Sequence, residues 1–184
     1  MDVMDVELAS ELVARLGRIR LLCLDVDGVL SDGHLYFAGG ADWQAVAPEA
    51  RWTQRFSVRD GVGIKLLQQA GGQVAILSEG GLLSGRARAA SLRIEHAYFG
   101  LTAKLERFAA LLAELGLTAD EAAFIGDEVT DLPLLAAVGF AATVPDAVPE
   151  VRAAVHYVTR RPGGSGAVRE VADLIRRHGN LKRP

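Results

Sequence analysis

Cysteine, aromatic residues and long apolar runs are scarce in this sequence. One cysteine occurs in 184 residues, and aromatic residues make up 6% of the chain. Cys23 lies inside the apolar run from Leu21 to Leu24, so no disulfide forms within the chain and a reducing compartment is expected. No apolar run approaches the roughly 18 residues of a membrane-spanning helix, and the acidic N-terminus lacks the features of a secretory signal. We therefore expect a cytoplasmic protein without a membrane partner.

An excess of basic charge is also absent. The chain has 20 Lys and Arg residues against 23 Asp and Glu residues, a formal net charge of -3. This balance provides no basic surface that would follow a nucleic-acid backbone, so nucleic acid is excluded as an expected partner. Apolar residues make up 50% of the chain, enough for one sizeable core. We predict a single domain over residues 1–184.

Apolar runs alternate with amphipathic segments along the chain. The run before Asp25 is typical of a strand buried on both faces, and the apolar spacing of residues 5–17 predicts a helix that ends at Gly17. Residues 33–58 contain both tryptophans and alternate weakly, which predicts a β-hairpin flap, and residues 180–184 are expected to be a disordered tail. Strands alternating with helices indicate an α/β fold with a parallel sheet covered on both faces.

Polar residues follow several of the predicted strands. In an open parallel sheet the ligand binds beyond the carboxyl ends of the strands, so these residues are expected to lie together. Each has an ordinary alternative, because an Asp can cap a helix, a Ser can fill a turn and a Lys can be a solvated surface charge. The residues are Asp25, Asp27, Gly28, Ser78, Lys104, Asp127, Glu128 and Asp131.

Taken in this order, the residues resemble the motifs of the haloacid dehalogenase superfamily. DVDGVLSDG is similar to its first motif, an Asp-x-Asp-Gly after a hydrophobic strand, and Ser78 and Lys104 fit its second and third motifs. The resemblance implies a Rossmann-like three-layer sandwich with a parallel central sheet, a small β-hairpin flap and no large cap domain. It also implies phosphoryl transfer.

The resemblance assigns a chemical role to each motif residue. Asp25 is the implied nucleophile, which forms an aspartyl-phosphate. Asp27 is the implied general acid for the leaving oxygen and then the base for the attacking water. Ser78 is expected to donate its hydroxyl to a phosphoryl oxygen, Lys104 to offset the charge of the nucleophile and the phosphate, and the backbone N–H of Gly28 to add a donor.

A hard cation is needed because carboxylates crowded around a phosphate dianion repel it. Mg²⁺ prefers oxygen ligands in octahedral geometry. Asp131 lies one helical turn after Asp127 and is expected to stand behind the metal, orienting Lys104 or a metal-bound water. Glu128 stands where many members carry a second Asp, and it either reaches the site or faces water. The implied protein ligands are Asp25, the backbone carbonyl of Asp27, and Asp127.

One branch of the superfamily fits best. DVDGVLSDG, SVRDGVGIKLL, GDEVTDLPLL, VGF and GGSGAVREVADLI, spread over residues 18–177, resemble the 3-deoxy-D-manno-octulosonate 8-phosphate phosphatase family. The resemblance implies a phosphorylated sugar acid as substrate and a cap-less homotetramer whose neighbouring subunits complete each site. It places Gly163 and Gly164 in a neighbouring site, although an ordinary loop before the last helix is the alternative. It places Arg59 and Asp60 at the substrate or the subunit interface, although a helix cap with a solvated arginine explains them as well.

Two segments depart from that family. Residues 78–82 read Ser-Glu-Gly-Gly-Leu where the family usually reads Thr-Gly-Arg-x-Ser, so an arginine and a second hydroxyl are absent. The hairpin segment 38–54 is longer than usual and adds Trp43, Arg51 and Trp52, and a replacement sugar-acid contact from Arg51 is a hypothesis.

Three alternative functions remain open. A nonulosonate 9-phosphate is a second possible substrate. The Ser-Glu pair and the Gly-x-Glu-Val-x-Asp pattern also resemble the phosphatase-like domain of animal CMP-sialic acid synthetases, which serves mainly in assembly. A response-regulator receiver shares an acidic cluster and a lysine, but it has another chain order and lacks Asp-x-Asp-Gly.

Overall fold

The structure, a computed structural model, describes residues 10–38, 40–47 and 50–181. Its main sheet has six parallel strands in the order β5-β4-β1-β6-β7-β8. These strands are β1 Leu21–Leu24, β4 Gln73–Ser78, β5 His96–Phe99, β6 Ala122–Ile125, β7 Phe140–Thr143 and β8 Tyr157–Val158. The helices are α1 Ser10–Leu16, α2 Val58–Gln69, α3 Leu83–Ser91, α4 Lys104–Leu115, α5 Leu132–Ala137, α6 Pro149–Ala154 and α7 Ala167–His178.

The core lies on both faces of the sheet, as β1 illustrates. Leu22 and Leu24 point into a cluster formed with α1, α2, α3 and α7. Leu21 and Cys23 point into a second cluster formed with α4, α5 and α6. All four side chains are fully buried, which explains why this strand is a continuous apolar run. The predicted α/β three-layer sandwich with a parallel central sheet is confirmed.

A small antiparallel hairpin follows β1. Its strands are β2 Tyr36–Phe37 and β3 Trp52–Thr53, and a helical turn at Trp43–Ala45 lies between them. The Phe37 ring packs edge-on against Trp52 at 5.3 Å between ring centroids. Within the described part of the chain no large cap domain stands over the sheet, as predicted.

The first predicted helix is present where the structure describes it. The first helix is described only from Ser10, and residues 5–9 of the predicted helix lie outside the described residues. Helix α2 begins at Val58, because the Ser57 hydroxyl accepts the Arg59 backbone N–H at 3.1 Å and caps the helix.

Two residues of the predicted disordered tail contact the rest of the fold. The Asn180 N–H donates to the Gly17 carbonyl at 3.2 Å, and Leu181 packs against the core. The prediction of disorder was therefore wrong for these two residues. Residues 182–184 of the predicted tail lie outside the described residues. In the described ranges no helix combines the length and the apolar character needed to cross a membrane.

Candidate active site

The loop after β1 brings its acidic residues over the carboxyl end of the sheet. The Asp25 N–H donates to the Ile125 carbonyl at 3.0 Å, which continues the pairing of β1 with β6. The chain then turns through Gly28, whose φ is +81°, a conformation that favours glycine. A Cβ atom on Gly28 would collide with the Asp127 carboxylate. Asp-x-Asp-Gly therefore allows the two acidic segments to approach each other closely.

Lys104 lies between Asp25, the predicted nucleophile, and Asp131. Its ammonium lies 3.2 Å from Asp25 Oδ1 and 2.7 Å from Asp131 Oδ1. The other oxygen of Asp131 accepts the backbone N–H groups of Asp127 and Glu128, at 3.0 and 3.3 Å. Asp131 is completely buried, and these three contacts of its carboxylate fix the polar loop after β6 and orient Lys104.

Three carboxylates converge on one point. Asp25, Asp127 and Asp131 each offer an oxygen within 4.8 Å of the others, a spacing that suits one shared cation. Asp25 and Asp127 line a pocket of about 250 Å³ in which five of the ten lining residues are acidic and one is basic. The lining residues are Asp25, Asp27, Gly28, Gly33, Glu79, Gly80, Lys104, Asp127, Glu128 and Thr130.

Burial and mutual repulsion shift the pKa values in this pocket. Burial raises the pKa of Asp25 to about 7, and the Lys104 charge opposes part of that rise. Burial, with the added charges of Asp25 and Asp131, raises the pKa of Asp127 to about 8. Burial alone would lower the pKa of Lys104, but Asp25 and Asp131 raise it above its ordinary value. The pocket is thus a site of excess negative charge that a cation would relieve.

Ser78 ends β4 beside this cluster. It is 1% exposed, and its hydroxyl has no hydrogen-bond partner among the described residues. A buried hydroxyl without a partner costs free energy unless a ligand binds it. Ser78 is therefore placed to donate to an oxygen of a bound anion.

Arg59 and Asp60 do not reach the pocket. Asp60 is fully buried, and its two oxygens accept the backbone N–H groups of Gly166 and Arg169 at 3.1 and 2.8 Å. Its predicted substrate contact is corrected: the carboxylate joins α2 to the first turn of α7. Arg59 is exposed on the first turn of α2, next to the Ser57 cap, and does not line the pocket.

Gly163 and Gly164 pack against Gly28 and Val29, in the loop after β1 of their own chain. The Gly164 N–H donates to the Val29 carbonyl at 3.0 Å, and a Cβ on Gly163 would collide with the carbonyl of Gly28. Within the chain these glycines support the Gly28 turn, and their reach into a neighbouring subunit's site stays a prediction. Only glycine permits this backbone contact.

Sequence reasoning missed Gln54 and proposed Arg51 as a replacement sugar-acid contact. Gln54 is 8% exposed, and its side-chain amide donates to Asp27 Oδ1. Its only signal was a polar residue inside a weakly alternating segment. The Arg51 guanidinium stacks over the Trp43 ring at 4.9 Å and its Nε donates to the Val46 carbonyl at 2.9 Å, so it is engaged within the flap.

The parallel sheet, the flap in place of a cap, and an acidic cluster with a buried lysine define the chain's class. They are features of haloacid dehalogenase-like hydrolases, and a family model of that description matches residues 100–170. Similar proteins identify the branch. The chain is 41% identical to 3-deoxy-D-manno-octulosonate 8-phosphate phosphatase of Yersinia pestis over 169 residues, which cover 91% of this chain and 84% of that protein.

Solved structures agree with the sequence comparison. The crystal structure of the Yersinia pestis phosphatase is similar with a TM-score of 0.84 and 40% identity, over 92% of this chain and 87% of the other. The phosphatase of Moraxella catarrhalis, in complex with magnesium, phosphate and a KDO molecule, is similar with a TM-score of 0.83 and 35% identity, over 92% of each chain. The chain belongs to the 3-deoxy-D-manno-octulosonate 8-phosphate phosphatase family, as the motif resemblance predicted.

Proposed function

We propose that this chain is a Mg²⁺-dependent phosphatase that hydrolyses 3-deoxy-D-manno-octulosonate 8-phosphate through an aspartyl-phosphate at Asp25. The observation that carries the proposal is the meeting of Asp25, Lys104 and Asp127 at one rim of the parallel sheet. The related Moraxella catarrhalis phosphatase, in complex with magnesium, phosphate and KDO, supports both the cofactor and the substrate.

The reaction divides into two displacements at phosphorus. An Asp25 carboxylate oxygen attacks the phosphorus, and the bond from phosphorus to the sugar oxygen breaks while Asp27 gives that oxygen a proton. Asp27 then takes a proton from water as the water oxygen attacks the same phosphorus. The bond from phosphorus to Asp25 breaks, and inorganic phosphate leaves. Each residue thus returns to its starting protonation state.

The donor set of the pocket fits a divalent cation. Asp127 Oδ1 is buried and has no hydrogen-bond partner among the described residues, and carboxylate oxygen is the ligand type that Mg²⁺ prefers. Bound Mg²⁺ supplies positive charge that offsets the phosphate dianion. Asp131 is already occupied by Lys104 and two backbone N–H groups, so we assign it to positioning. The residues that would hold the ion are Asp25, the backbone carbonyl of Asp27, and Asp127.

The phosphoryl oxygens require donors on the protein side. Lys104 provides positive charge next to Asp25, and the Ser78 hydroxyl is buried without another partner. The Gly28 N–H lies in the turn that lines the pocket. Preorganised donors of this kind stabilise charge on a transferring phosphoryl group. Glu128 is exposed at the rim and accepts the Val129 N–H at 2.7 Å, so we assign it no contact with phosphate.

Phosphate release from a panel of sugar-acid phosphates tests the proposed function. We expect Mg²⁺-dependent hydrolysis, with the highest kcat/KM for 3-deoxy-D-manno-octulosonate 8-phosphate. A nonulosonate 9-phosphate is the competing substrate, since Ser78-Glu79-Gly80 differs from the usual family motif. A higher kcat/KM for the nonulosonate would correct the substrate. No release from any member of the panel would instead favour an assembly module without catalysis.

We further infer a homotetramer located in the cytoplasm, with the flap in the subunit interface. The flap exposes apolar side chains beyond what an isolated hairpin requires: Leu35 is 57% exposed, Phe37 48% and Trp52 43%. Such a patch is typical of a protein interface. A cytoplasmic location agrees with the buried free thiol of Cys23.

A Phe37→Glu variant is expected to disassemble the tetramer, because the new charge would be buried in an apolar interface. Light scattering after size-exclusion chromatography should show the mass fall from four chains to one or two. Leu105→Glu is the matched control, since Leu105 is a similarly exposed apolar residue, 42%, on α4 away from the flap. An unchanged mass for the Phe37 variant would place the interface elsewhere.

A further inference from the structure

We propose that Gln54 is a positioning residue for Asp27, and that through it the flap sets the orientation of the general acid and base. This inference rests on the proposed function. Gln54 directly follows β3 of the flap, whereas Asp27 lies in the loop after β1. The Gln54 amide donates to Asp27 Oδ1, so the flap and the loop after β1 meet at this contact.

The orientation of the Gln54 amide is fixed from both ends. The amide nitrogen donates to Asp27 Oδ1, which accepts this hydrogen bond whether or not Oδ2 carries the proton of the general acid. The amide oxygen then faces α3, where it accepts the Ser84 hydroxyl at 3.0 Å. The same nitrogen lies 3.4 Å from the Ser31 hydroxyl, which donates to the Val26 carbonyl at 3.1 Å. Gln54 therefore connects the flap, the loop after β1 and α3.

Gly80 leaves the space for this arrangement. A Cβ on Gly80 would collide with the second oxygen of Asp27. Any side chain at position 80 would push the Asp27 carboxylate out of its present orientation, so Gln54 and Gly80 act on the same rotamer.

Burial makes the contact important. Gln54 is 8% exposed, so the loss of its amide would leave Asp27 without a donor that is itself shielded from water. A general acid has to point at the leaving oxygen, and misplacement by about 1 Å can cost roughly 100-fold in rate. The orientation of Asp27 matters most for a sugar alkoxide, which leaves only with a proton. It matters little for p-nitrophenolate, which leaves without one.

Gln54→Met tests this role because methionine keeps the size of the side chain and removes both amide contacts. We expect kcat for the sugar-acid phosphate to fall about 10- to 100-fold with KM within about twofold. In pre-steady-state experiments with excess p-nitrophenyl phosphate, the release of p-nitrophenolate in the first turnover should stay within about twofold of wild type. Later turnovers should slow, because the hydrolysis of the aspartyl-phosphate also needs Asp27, and a burst should become visible.

Gln68→Met is the matched control. Gln68 is a half-buried glutamine on α2 whose amide lies 3.4 Å from the carbonyls of Leu92 and Arg93, away from the pocket. It should change neither substrate's kinetics. An equal fall in the first-turnover rate for both substrates in Gln54→Met would mean general disruption of the site and would overturn the positioning role. An active wild type with an unaffected Gln54→Met would overturn it too, while leaving the proposed function intact.

Gly80→Ala provides a second variant that does not alter Gln54. It should reproduce the same kinetic pattern, since the added Cβ displaces the Asp27 carboxylate. Both changes act on one rotamer. The kcat of the double variant should therefore lie within about threefold of the kcat of the slower single variant. Multiplicative losses would mean that the two positions act independently, which contradicts the proposal. If wild type hydrolyses no substrate at all, the proposed function fails and the inference fails with it.

Discussion

An Asp25→Asn variant is expected to retain the fold and lose catalysis, with kcat reduced about 10⁴-fold or more. The amide is nearly the same size as the carboxylate but is not a nucleophile, so no covalent intermediate forms. The pocket should survive the change. Lys104 keeps its contact with Asp131 at 2.7 Å, and the backbone N–H of residue 25 still pairs with Ile125.

The measurement is Mg²⁺-dependent phosphate release, compared with the circular dichroism spectrum and melting temperature of each protein. Asp120→Asn is a matched control, because Asp120 is exposed in the turn before β6 and remote from the pocket. It should have wild-type activity. An Asp25→Asn protein within about tenfold of the wild-type kcat would exclude a covalent role for that carboxylate.

An Asp127→Asn variant is expected to lose at least about 10³-fold in activity and to gain stability in metal-free buffer. Asp127 is proposed as a metal ligand, and an amide is a weaker ligand than a carboxylate. The gain in stability has a separate cause. Burial and the charges of Asp25 and Asp131 raise the pKa of Asp127, so the ionised group opposes folding when no cation is bound.

The sign of the pH dependence follows from this raised pKa. The folded chain binds the Asp127 proton more tightly than the unfolded chain, so wild-type stability falls as pH rises from about 4, the ordinary carboxyl pKa, to about 8. Asparagine removes this loss. The advantage of the variant should therefore increase between pH 5 and pH 8, reaching on the order of 1 kcal/mol or more.

Magnesium should reverse the order of stability. Wild type gains about 2.7 kcal/mol at a concentration of 100 times its Kd, whereas the variant gains little. Urea unfolding at pH 5 and pH 8, each with EDTA or with Mg²⁺, measures all four cases. A variant that is less stable than wild type in EDTA at pH 8 would mean that Asp127 is not an uncompensated charge in the folded protein.

The parallel sheet and the main cluster could be predicted because local signals and the fold agree there. The run before Asp25 is apolar at every position because its strand is buried on both faces, and parallel strands bring their following loops to one rim. Asp25, Lys104, Asp127 and Asp131 meet at that rim, as expected from their positions in the chain. Their chemical roles remain proposals.

The contacts of Asp60 and of the glycine-rich segment depend on packing between distant parts of the chain. A buried carboxylate that accepts two backbone N–H groups cannot be distinguished in sequence from a surface acid or a substrate contact. Asp60 was misassigned for this reason, since its partners Gly166 and Arg169 lie more than 100 positions away. Gly163 likewise owes its place to the carbonyl of Gly28, which no local pattern indicates.

The short elements were hard to predict because they carry little periodicity. Helix α6 has six residues, and only its first-turn Pro149 signals a helix start, so it was missed. The hairpin strands have two residues each and were predicted only as part of a longer flap. Gln54 follows the second of them and reaches Asp27 through tertiary structure alone.

Trapping of the phosphorylated enzyme tests most directly whether Asp25 attacks phosphorus. Enzyme and ³²P-labelled substrate would be mixed with Mg²⁺, quenched in acid within the first turnover, digested with trypsin and analysed by tandem mass spectrometry. We predict a base-labile phosphate on Asp25 in wild type and none in Asp25→Asn. Turnover without any protein-bound phosphate, or a phosphate on another residue, would contradict nucleophilic attack by Asp25.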